Sequence, residues 1–444
     1  MIYMPNEVKK AISKLNDRGY EAYIVGGCVR DSLLGGKPKD YDITTSAEPE
    51  TVKKIFSGCR VIETGIKHGT VTVIIDKMPL EITTFRIDSD YSDNRHPENV
   101  TFTKSLEEDT ARRDFTMNAL AYNDKRGVCD FYGGSKDISN KIIRCVGDAN
   151  KRFNEDALRI MRALRFSSVL GFEIEDNTKN AIFKNKELLK NISSERIASE
   201  LVKLLCGENV KNVLLEYIDV LGVVIPELLP MKGFDQKNVH HIYDILEHTL
   251  VAVENIESTP ILRLTALFHD IGKPKCFFMK NGEGHFYGHA EAGAEMTRSI
   301  LTRLKFDNTT KHTVTKLVRI HDIQIDETNT AIKRCMNKHT SEIFFLLLKM
   351  KRADTLAQSP ICFVRLEYLD RLEEKALAII NEKACFSLKD LAINGSDLIS
   401  LGISPGRQIG DILKRLLDEV ISGSLRNDKN ELIAFTKENF LKYD

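Results

Sequence analysis

The sequence predicts an α+β fold, in which a small mixed β-sheet backed by helices is followed by an all-α remainder. Short apolar runs typical of strands, at 23–25, 71–75 and 80–85, all lie near the start of the chain. Beyond about residue 145 the apolar residues recur with helical spacing, as in 195–205. The chain has 444 residues, which is enough for several domains. Gly-, Ser- or Pro-rich linkers are lacking, so we expect these domains to dock firmly.

Four regions are expected along the chain. Pro226 and Pro230 interrupt the helical periodicity and favour a break after the second region. The third region is rich in histidine. The four are a head of mixed strands and helices, a helical neck and body, a histidine-rich helical region and a helical tail, at 1–145, 146–235, 236–360 and 361–444.

Composition narrows the class of protein. The 64 basic and 64 acidic side chains give no net charge, so any nucleic-acid contact has to be a local patch. Nine cysteines are scattered without C-x-x-C spacing, and neither a signal peptide nor an apolar run of membrane-spanning length is found. We therefore expect reduced thiols, a cytoplasmic location and no membrane partner.

The first chemical motif combines a glycine turn with two carboxylates. An apolar strand runs into Gly26 and Gly27, and Asp40 and Asp42 follow in a second strand-like segment. Side chains two residues apart on a strand leave the same face, so both carboxylates can hold one metal site. Their oxygens suit Mg²⁺ that carries substrate phosphates, and a glycine turn at a helix start exposes N–H groups to anions. Each motif alone is common, but together they indicate phosphoryl or nucleotidyl transfer.

Further charged residues extend this motif. Glu81 lies in the strand at 80–85 and is expected as a third carboxylate near the aspartates. Arg112 and Arg113 are adjacent and would complement a triphosphate, because guanidinium groups match phosphate oxygens.

Four motifs, VGGCVRD, DYD, RRDFTMNAL and EDALRIMRALRF, occur in this order within residues 23–166. As a set they resemble bacterial CCA-adding enzymes, tRNA nucleotidyltransferases of the class that also contains bacterial poly(A) polymerases. The resemblance implies a polymerase-β-like nucleotidyltransferase head, a neck and body that read the base and bind RNA, and an RNA-binding tail. It implies template-independent addition of C, C and A to the 3′ end of tRNA from CTP and ATP, with release of pyrophosphate.

The expected mechanism is two-metal nucleotidyl transfer. Asp40 and Asp42 would hold two Mg²⁺ ions, one that activates the RNA 3′-hydroxyl and one that steadies the triphosphate and the leaving pyrophosphate. The residues expected to contact the nucleotide are, at the phosphates, Gly27, Arg30 and Arg112 and, at the ribose, Asp114.

The segment 155–166 offers a means of choosing the base without a template. Asp156 and Arg159 are spaced i, i+3, so on one helix they would share a face. Cytosine and adenine present an amine donor beside a ring-nitrogen acceptor, which an aspartate beside an arginine complements. Uracil and guanine reverse both signs, and each unpaired group would cost about 1–3 kcal/mol. The resemblance extends base reading to Arg162 and Arg165, although Arg165 lies far around the helix and would also suit phosphate or RNA. The alternative is an amphipathic helix with a solvated arginine edge.

A polar segment without periodicity follows the strand at 80–85. Residues 85–97 resemble the flexible loop that CCA-adding enzymes use when they switch from C to A, with His96 where many members have a second arginine. This loop argues against an enzyme that adds only C-C. The sequence leaves open whether the product is C-C-A, a single A or a poly(A) tract.

The histidine-rich region carries a second chemistry. Imidazole and carboxylate groups on separate helices can form a mixed site for a transition metal such as Ni²⁺, Mn²⁺ or Co²⁺. The order of these residues resembles the HD superfamily of metal-dependent phosphohydrolases, and His289 and His321 would complete a second metal position. The expected ligands are His248, His269, Asp270 and Asp354. The histidines expected to be structural are His240, His312 and His339.

Three functions are compatible with these patterns. The first is a CCA-adding transferase with an HD domain, whose hydrolase activity is either retained or replaced by a scaffold role. The second is a poly(A) polymerase or an A-adding tRNA nucleotidyltransferase. The third is an HD phosphohydrolase with a nucleotide-sensing head, against which the complete set of head carboxylates argues.

Overall fold

The computed structural model describes residues 2–88 and 100–441. The chain divides into two compact units, Met1–Leu229 and Pro230–Asp444. The predicted α+β class is confirmed, since a mixed sheet lies in the first unit and helices dominate the remainder. Within the described ranges, no helix has both the length and the apolar character needed to cross a membrane. The division into four regions stays a prediction.

A seven-stranded mixed sheet forms the centre of the first unit. The strands of this unit are β1 (Ala22–Val25), β2 (Asp42–Thr45), β3 (Arg60–Ile62), β4 (Thr70–Ile75), β5 (Met78–Thr84), β6 (Arg86–Asp88), β7 (Val100–Phe102), β8 (Leu120–Asn123), β9 (Gly127–Asp130), β10 (Ile142–Ile143) and β11 (Glu173–Ile174). The sheet order is β3-β4-β5-β2-β1-β8-β9. Its neighbours are antiparallel except β2 and β5, which are parallel. Outside the sheet, β6 pairs with β7 and β10 with β11.

Burial explains the strand sequences. Central strand β1 is buried at all four positions, which fits its run of Ala, Tyr, Ile and Val. Strand β4 alternates between half-buried and buried residues, as expected for one covered face. The turn between β4 and β5 consists of Asp76 and Lys77 alone, both with positive φ, as in a type I′ hairpin turn.

Helices cover this sheet and continue beyond it. They are α1 (Asn6–Asn16), α2 (Gly27–Leu33), α3 (Pro49–Ile55), α4 (Leu106–Ala111), α5 (Gly134–Ser139), α6 (Ala149–Glu155), α7 (Leu158–Leu170), α8 (Asp176–Asn185), α9 (Ser194–Leu205) and α10 (Val210–Leu221). Helix α7, which carries Arg159, Arg162 and Arg165, packs against α9 and α10.

The second unit is mainly helical. Its elements are α11 (Ile245–Asn255), α12 (Pro260–Phe268), α13 (Lys273–Cys276), β12 (Phe278–Lys280), β13 (Glu283–His285), α14 (His289–Arg303), α15 (Asn308–Ile320), α16 (Asn329–His339), α17 (Ser341–Leu356), α18 (Val364–Asn381), α19 (Gly395–Ser400), α20 (Arg407–Ser422) and α21 (Lys429–Phe440). Helices α11, α12, α15 and α17 pack on one another. A separate apolar cluster, centred on Leu416 and Leu417, forms among the last three helices.

One element departs from the all-α expectation for this part of the chain. Strands β12 and β13 form an antiparallel hairpin whose turn is Asn281 and Gly282, both with positive φ. Asn-Gly is a strong signal for a type I′ hairpin turn. The sequence therefore contained the information for this hairpin.

Candidate active sites

The head carboxylates lie at the start of strand β2. Asp42 opens β2 and Asp40 precedes it, so only one of the two belongs to the strand. Both residues are exposed, and both line a cleft of about 520 Å³ that also contains Gly27. Glu81 stands beside Asp42, because β2 and β5 pair in parallel with these residues in register. Among the described residues Glu81 does not line the cleft, so its role as a third carboxylate stays a prediction.

Asp40 and Asp42 suit a metal ion whose remaining ligands come from the substrate and from water. The described ranges contain two groups of three potential metal ligands whose atoms lie within 4.8 Å of one another, and both are in the second unit. The head therefore offers Asp40 and Asp42 rather than a closed cage. Such a site fits Mg²⁺, which is commonly held by one or two carboxylates together with water and substrate phosphates. Partial desolvation raises the pKa of the Asp42 carboxyl; Arg113 opposes that shift, and Asp40 adds to it.

Gly26 is required by the backbone of the glycine turn. It has φ of 80°, and a Cβ at this position would lie 2.9 Å from Nη1 of Arg113. The positive φ disfavours any side chain at this position, and a Cβ would also displace the end of the Arg113 side chain. The turn holds Arg113 close to the acidic cleft, where desolvation lowers the pKa of this guanidinium while Asp109 and Asp42 oppose the shift. The sequence predicted a role for the Arg112-Arg113 pair, but only the structure places Arg113 against the glycine turn.

Two of the predicted phosphate-binding arginines engage protein groups. Arg30 is 9% exposed and donates to Oδ1 of Asn118 at 2.7 Å and to Oδ1 of Asp31 at 2.8 Å. Arg112 donates through Nε and Nη2 to Oδ1 of buried Asp109 at 3.0 and 2.8 Å. Phosphate binding by Arg30 and Arg112 stays a prediction.

Asp114, predicted at the ribose, lies in a buried ion pair. Its Oδ2 accepts from Nε and Nη2 of Arg162 at 2.8 and 2.5 Å, and its Oδ1 accepts from Nδ2 of Asn118 at 3.0 Å. Burial raises the pKa of the Asp114 carboxyl, but Arg162 and Asn118 outweigh burial and hold that pKa below its ordinary range. The ion pair of Asp114 and Arg162 thus links the segment that contains Asp114, just before β8, to helix α7.

The helix predicted across 155–166 is wrong at its start. Helix α6 ends at Glu155 and α7 begins at Leu158, and Asp156 between them is extended, with φ −139° and ψ 100°. The Oδ1 of Asp156 accepts from the Leu158 N–H at 3.1 Å, an interaction that competes with continued helix. The argument that Asp156 and Arg159 share a helical face therefore fails.

Ion pairs occupy the charged residues of this segment. Asp156 pairs with Arg196 at 2.8 Å. The Nη1 of Arg159 lies 2.7 Å from Oε2 of Glu155, and its Nη2 donates to the Arg112 carbonyl at 2.9 Å. A separate pair joins Arg165 on α7 to Glu200 on α9 at 3.0 Å. Within this described segment, the alternative of a solvated arginine edge therefore does not hold, and base reading stays a prediction.

The predicted flexible loop is 85–97, and its residues 89–97 lie outside the described ranges. The described residues on either side form the β6–β7 ribbon, in which Arg86 pairs with Phe102.

The second candidate site, the histidine centre, brings together six predicted residues from five helices or their ends. These are His248, His269, Asp270, His289, His321 and Asp354. They form two groups of three, His248 with His269 and Asp354, and Asp270 with His289 and His321. Asp270 reaches both groups, because its Oδ2 lies 3.2 Å from Nε2 of His269 and its Oδ1 lies 3.5 Å from Nε2 of His289. The arrangement can hold two cations with Asp270 between them.

Hydrogen bonds fix the tautomers of these four imidazoles. Each Nδ1 lies 2.7–3.0 Å from a backbone carbonyl. A carbonyl can only accept, so each Nδ1 carries the hydrogen and a neutral ring keeps its lone pair on Nε2. The Nε2 atoms of His248 and His269 are 3.3 Å apart, and those of His289 and His321 are 3.2 Å apart. Facing lone pairs repel, so this geometry suits a proton or a metal ion at each pair.

Charge is distributed unequally within the histidine centre. Burial lowers the pKa of His269, but Asp270 and Asp354 outweigh it and raise that pKa to about 10. Burial and the neighbouring His269 lower the pKa of His321 to about 3. Burial raises the pKa of Asp354, but His248 and His269 outweigh burial and hold it well below its ordinary value. Burial also raises the pKa of Asp270, but His269 and Lys273 outweigh burial and hold it well below its ordinary value. Both carboxylates therefore stay ionised at neutral pH and favour cationic partners.

Several residues of this cleft were missed from sequence. Lys273 is 5% exposed, and its Nζ lies 2.7 Å from Oδ2 of Asp270 and 2.8 Å from Oε1 of Gln236. The sequence feature that could have indicated Lys273 is its position three residues after Asp270. The cleft has a volume of about 330 Å³, and its further lining residues include His240, His241, His285, Tyr287, Gln358 and Arg365. His240, expected to be only structural, thus borders the cleft.

Three models of protein families match parts of this chain. Residues 22–144 match the poly(A) polymerase head domain, residues 171–231 an RNA and SrmB-binding site of polymerase A, and residues 287–436 a tRNA nucleotidyltransferase domain 2. The CCA-adding enzyme of Ligilactobacillus salivarius is 36% identical over 98% of this chain and 97% of its own. That of Enterococcus faecalis is 34% identical over 98% and 97%.

A solved structure covers the same length. The Bacillus stearothermophilus CCA-adding enzyme in complex with CTP is 31% identical, covers 98% of both chains and superposes with a TM-score of 0.74. These similarities run through both compact units rather than through the head alone. The chain therefore belongs to the family of CCA-adding enzymes, the tRNA nucleotidyltransferases with a poly(A) polymerase head domain.

Proposed function

We propose that this chain adds C, C and A to the 3′ end of tRNA, using CTP and ATP and releasing pyrophosphate. The observation that carries the proposal is the cleft shared by Asp40, Asp42 and Gly27. It combines carboxylates for Mg²⁺ with a backbone turn that can approach phosphates. Family membership supports the same reaction, and the similar Bacillus stearothermophilus enzyme is known in complex with CTP.

Each cycle would extend the RNA by one nucleotide. The 3′-hydroxyl attacks the α-phosphate in line, a phosphodiester bond forms, the bond to the β-phosphate breaks, and the hydroxyl proton passes to solvent. Mg²⁺ held by Asp40 and Asp42 would supply Lewis-acid activation and neutralise phosphate charge. Glu81, in register with Asp42, is proposed to complete the acidic set. The proposed nucleotide contacts remain Gly27, Arg30 and Arg112 at the phosphates and Asp114 at the ribose.

For base choice we propose Asp156 and Arg159 at the junction of α6 and α7. Their partners, Arg196 and Glu155, hold opposite charges in place before a base arrives. A cytosine or adenine edge would exchange with part of these contacts, whereas uracil or guanine would present the wrong polarity to both. Arg162 would act through Asp114, which it holds ionised. Arg165 would support the packing of α7 on α9 through Glu200.

The sequence of the RNA product distinguishes C-C-A addition from poly(A) synthesis and from A-only addition. Purified protein is incubated with tRNA lacking its 3′ end, with each nucleoside triphosphate alone and in mixture, and the products are sequenced. Addition that stops after C-C-A supports the proposal. A long A tract would instead identify a poly(A) polymerase, and a single A on a C-C end an A-adding enzyme.

A second function is proposed for the histidine centre, namely metal-dependent hydrolysis of phosphate esters by an HD domain at 236–360. The observation that carries it is the two facing Nε2 pairs, joined by Asp270. Water would attack phosphorus, the ester P–O bond would break, and the alcohol would leave with a proton. A Ni²⁺, Mn²⁺ or Co²⁺ ion held by these residues would supply Lewis-acid catalysis. Lys273 would hold Asp270 in place through its 2.7 Å contact.

The remaining regions follow from these assignments. We propose a head at 1–145, a neck and body at 146–235 that read the base and bind RNA, and an RNA-binding tail at 361–444. A cytoplasmic location is proposed, with which nine free cysteines agree. An HD phosphohydrolase whose head only senses nucleotide is not supported, because the family is one of transferases.

A further inference from the structure

Three aromatic rings cluster beside the histidine centre. Their centroids form a triangle: those of Phe278 and His285 are 5.6 Å apart with planes inclined by 26°, those of His285 and Tyr287 are 5.4 Å apart and inclined by 22°, and those of Phe278 and Tyr287 are 5.4 Å apart and inclined by 44°. Tyr287 is 69% exposed and Phe278 39% exposed. Single exposed aromatic residues are normal on proteins, but a cluster with two exposed rings leaves apolar surface uncovered. We call these three residues the aromatic platform.

The platform is fixed to the same framework as the metal ligands. Gly284, in β13 next to His285, donates its N–H to the Lys237 carbonyl at 2.8 Å, and a Cβ there would lie 2.2 Å from the Gln236 carbonyl oxygen. The hairpin is therefore pressed against this loop. The side chain of Gln236 in turn accepts from Nζ of Lys273, which contacts Asp270. The loop that contains Gln236 and Lys237 thus contacts both the platform hairpin and the Lys273 side chain, which pairs with Asp270 of the histidine centre.

The platform also opens onto the same cavity. His285 and Tyr287 line the cleft with Asp270 and His289, and His289 begins α14 only two residues after Tyr287. Exposed Arg365, which donates to Oε1 of Gln358 at 2.9 Å, lines the cleft near Asp354. The cavity therefore joins flat aromatic surface, a guanidinium and the predicted metal positions. Its volume of about 330 Å³ lies at the small end of ligand sites.

We propose that the aromatic platform stacks a nucleobase, so that the cleft takes phosphoesters of nucleosides in preference to phosphoesters that lack a base. Stacking on aromatic side chains is tolerant of base identity, because every base has a π-face. The base would lie on the ring of Tyr287, the phosphate would reach toward the histidine centre, and Arg365 would contact the phosphate. The base can belong to a free mononucleotide or to the end of an RNA. Only the hydrolytic use of this site rests on the phosphohydrolase function proposed above.

Binding tests the platform without requiring hydrolysis. Because the chain has no Trp, the fluorescence of 1,N⁶-ethenoadenosine monophosphate reports stacking against little protein background. We expect Tyr287→Leu to weaken binding of this probe by about 5-fold to 150-fold, the range of one lost stacking contact. Affinity for ribose 5-phosphate, measured by calorimetry, should not change. The matched control is Tyr3→Leu, which alters a Tyr that is 65% exposed in the other unit.

The outcomes separate this inference from the hydrolase proposal. Equal affinity of wild type and Tyr287→Leu for the fluorescent nucleotide would overturn the platform, as would equal kcat/KM for a nucleoside 2′,3′-cyclic phosphate and glycerol phosphate in the wild type. Base-dependent binding without any hydrolysis in Ni²⁺, Mn²⁺ or Co²⁺ would leave the platform in place and refute the hydrolase. A fluorescent 3′-terminal nucleotide on a short RNA distinguishes the sources. Binding of the RNA tighter than the mononucleotide, and equally sensitive to Tyr287→Leu, would assign the base to an RNA end.

Discussion

Arg162→Ala removes the partner of a buried carboxylate. Arg162 contacts Oδ2 of Asp114 through two nitrogens at 2.8 and 2.5 Å, and Asp114 is 8% exposed. Breaking a buried ion pair by removing one member typically costs about 3–5 kcal/mol. Hydrogen bonds from Asn118 and the Phe115 N–H remain, and the side chain of Arg162 is 33% exposed. We therefore expect the low end of that range, about 3 kcal/mol.

The pH dependence of the same variant has a definite sign. The pKa of Asp114 lies below its ordinary value in the folded protein, so the unfolded chain binds this proton first as pH falls. The stabilisation is fully present above the ordinary carboxyl pKa of about 4 and is lost as pH falls below it. In Arg162→Ala the folded pKa rises toward that ordinary value, so stability should fall less steeply below about pH 4.

Hydrogen exchange of peptides from 158–170 measures this effect in the unit concerned. The control is Arg126→Ala, whose pair with Glu21 is exposed on both sides and should cost less than about 1 kcal/mol. Adding Asp114→Asn to Arg162→Ala should recover part of the lost protection, since it removes the stranded charge. Unchanged protection of these peptides in Arg162→Ala would refute the reasoning.

Three further variants test other parts of the chain. Arg159→Ala should relax discrimination against UTP more than it weakens triphosphate binding. An unchanged ratio of kcat/KM for CTP and UTP, with a uniformly raised KM, would instead move Arg159 to the phosphates. His269→Ala with Asp270→Ala should abolish Ni²⁺-, Mn²⁺- or Co²⁺-dependent hydrolysis of phosphate esters and leave C-C-A addition largely unchanged. The milder Asp354→Asn provides the same test if the double variant loses its thermal transition, and a wild type that hydrolyses no ester while binding metal poorly would contradict an active centre. Gly26→Ala should cost about 1–3 kcal/mol by urea denaturation because of its positive φ, together with a loss of nucleotide addition, and unchanged stability would contradict the required turn.

The local features of the head could be predicted, whereas their assembly could not. The short apolar run at 71–75 indicates a strand, and the spacing of Asp40 and Asp42 behind the glycine turn indicates the acidic pair. The pairing of Asp42 with Glu81 depends on a parallel register between β2 and β5, which joins segments far apart in sequence. Local propensity carries no information about such a register.

Two errors had recognisable causes. The i, i+3 spacing of Asp156 and Arg159 places both residues on one helix only if the helix runs through Asp156, but an aspartate that accepts from a following backbone N–H favours a helix start. The hairpin at 278–285 was overlooked because the surrounding sequence is helical, although Asn281 and Gly282 mark its turn. In both places a short local signal determined the conformation against the longer pattern.

At the histidine centre, the sequence identified the residues of the site but not the contacts that orient them. Its six residues were named from their order in the sequence, since histidine and aspartate at helix ends are a recognisable ligand set. What sequence could not supply is the hydrogen bonding of each Nδ1 to a carbonyl. That contact, which points Nε2 inward, depends on how each ring packs against its own or a neighbouring helix end.

Addition of labelled nucleotide to tRNA lacking its 3′ C-C-A, in Mg²⁺, tests the central claim most directly. Asp40→Ala and Asp42→Ala should each abolish addition while the thermal transition stays unchanged, because both residues are exposed in the cleft. Asp76→Ala, which removes an exposed carboxylate on the β4–β5 turn, should add C-C-A at the wild-type rate. Retention of more than a few per cent of wild-type turnover by either cleft variant would contradict the account.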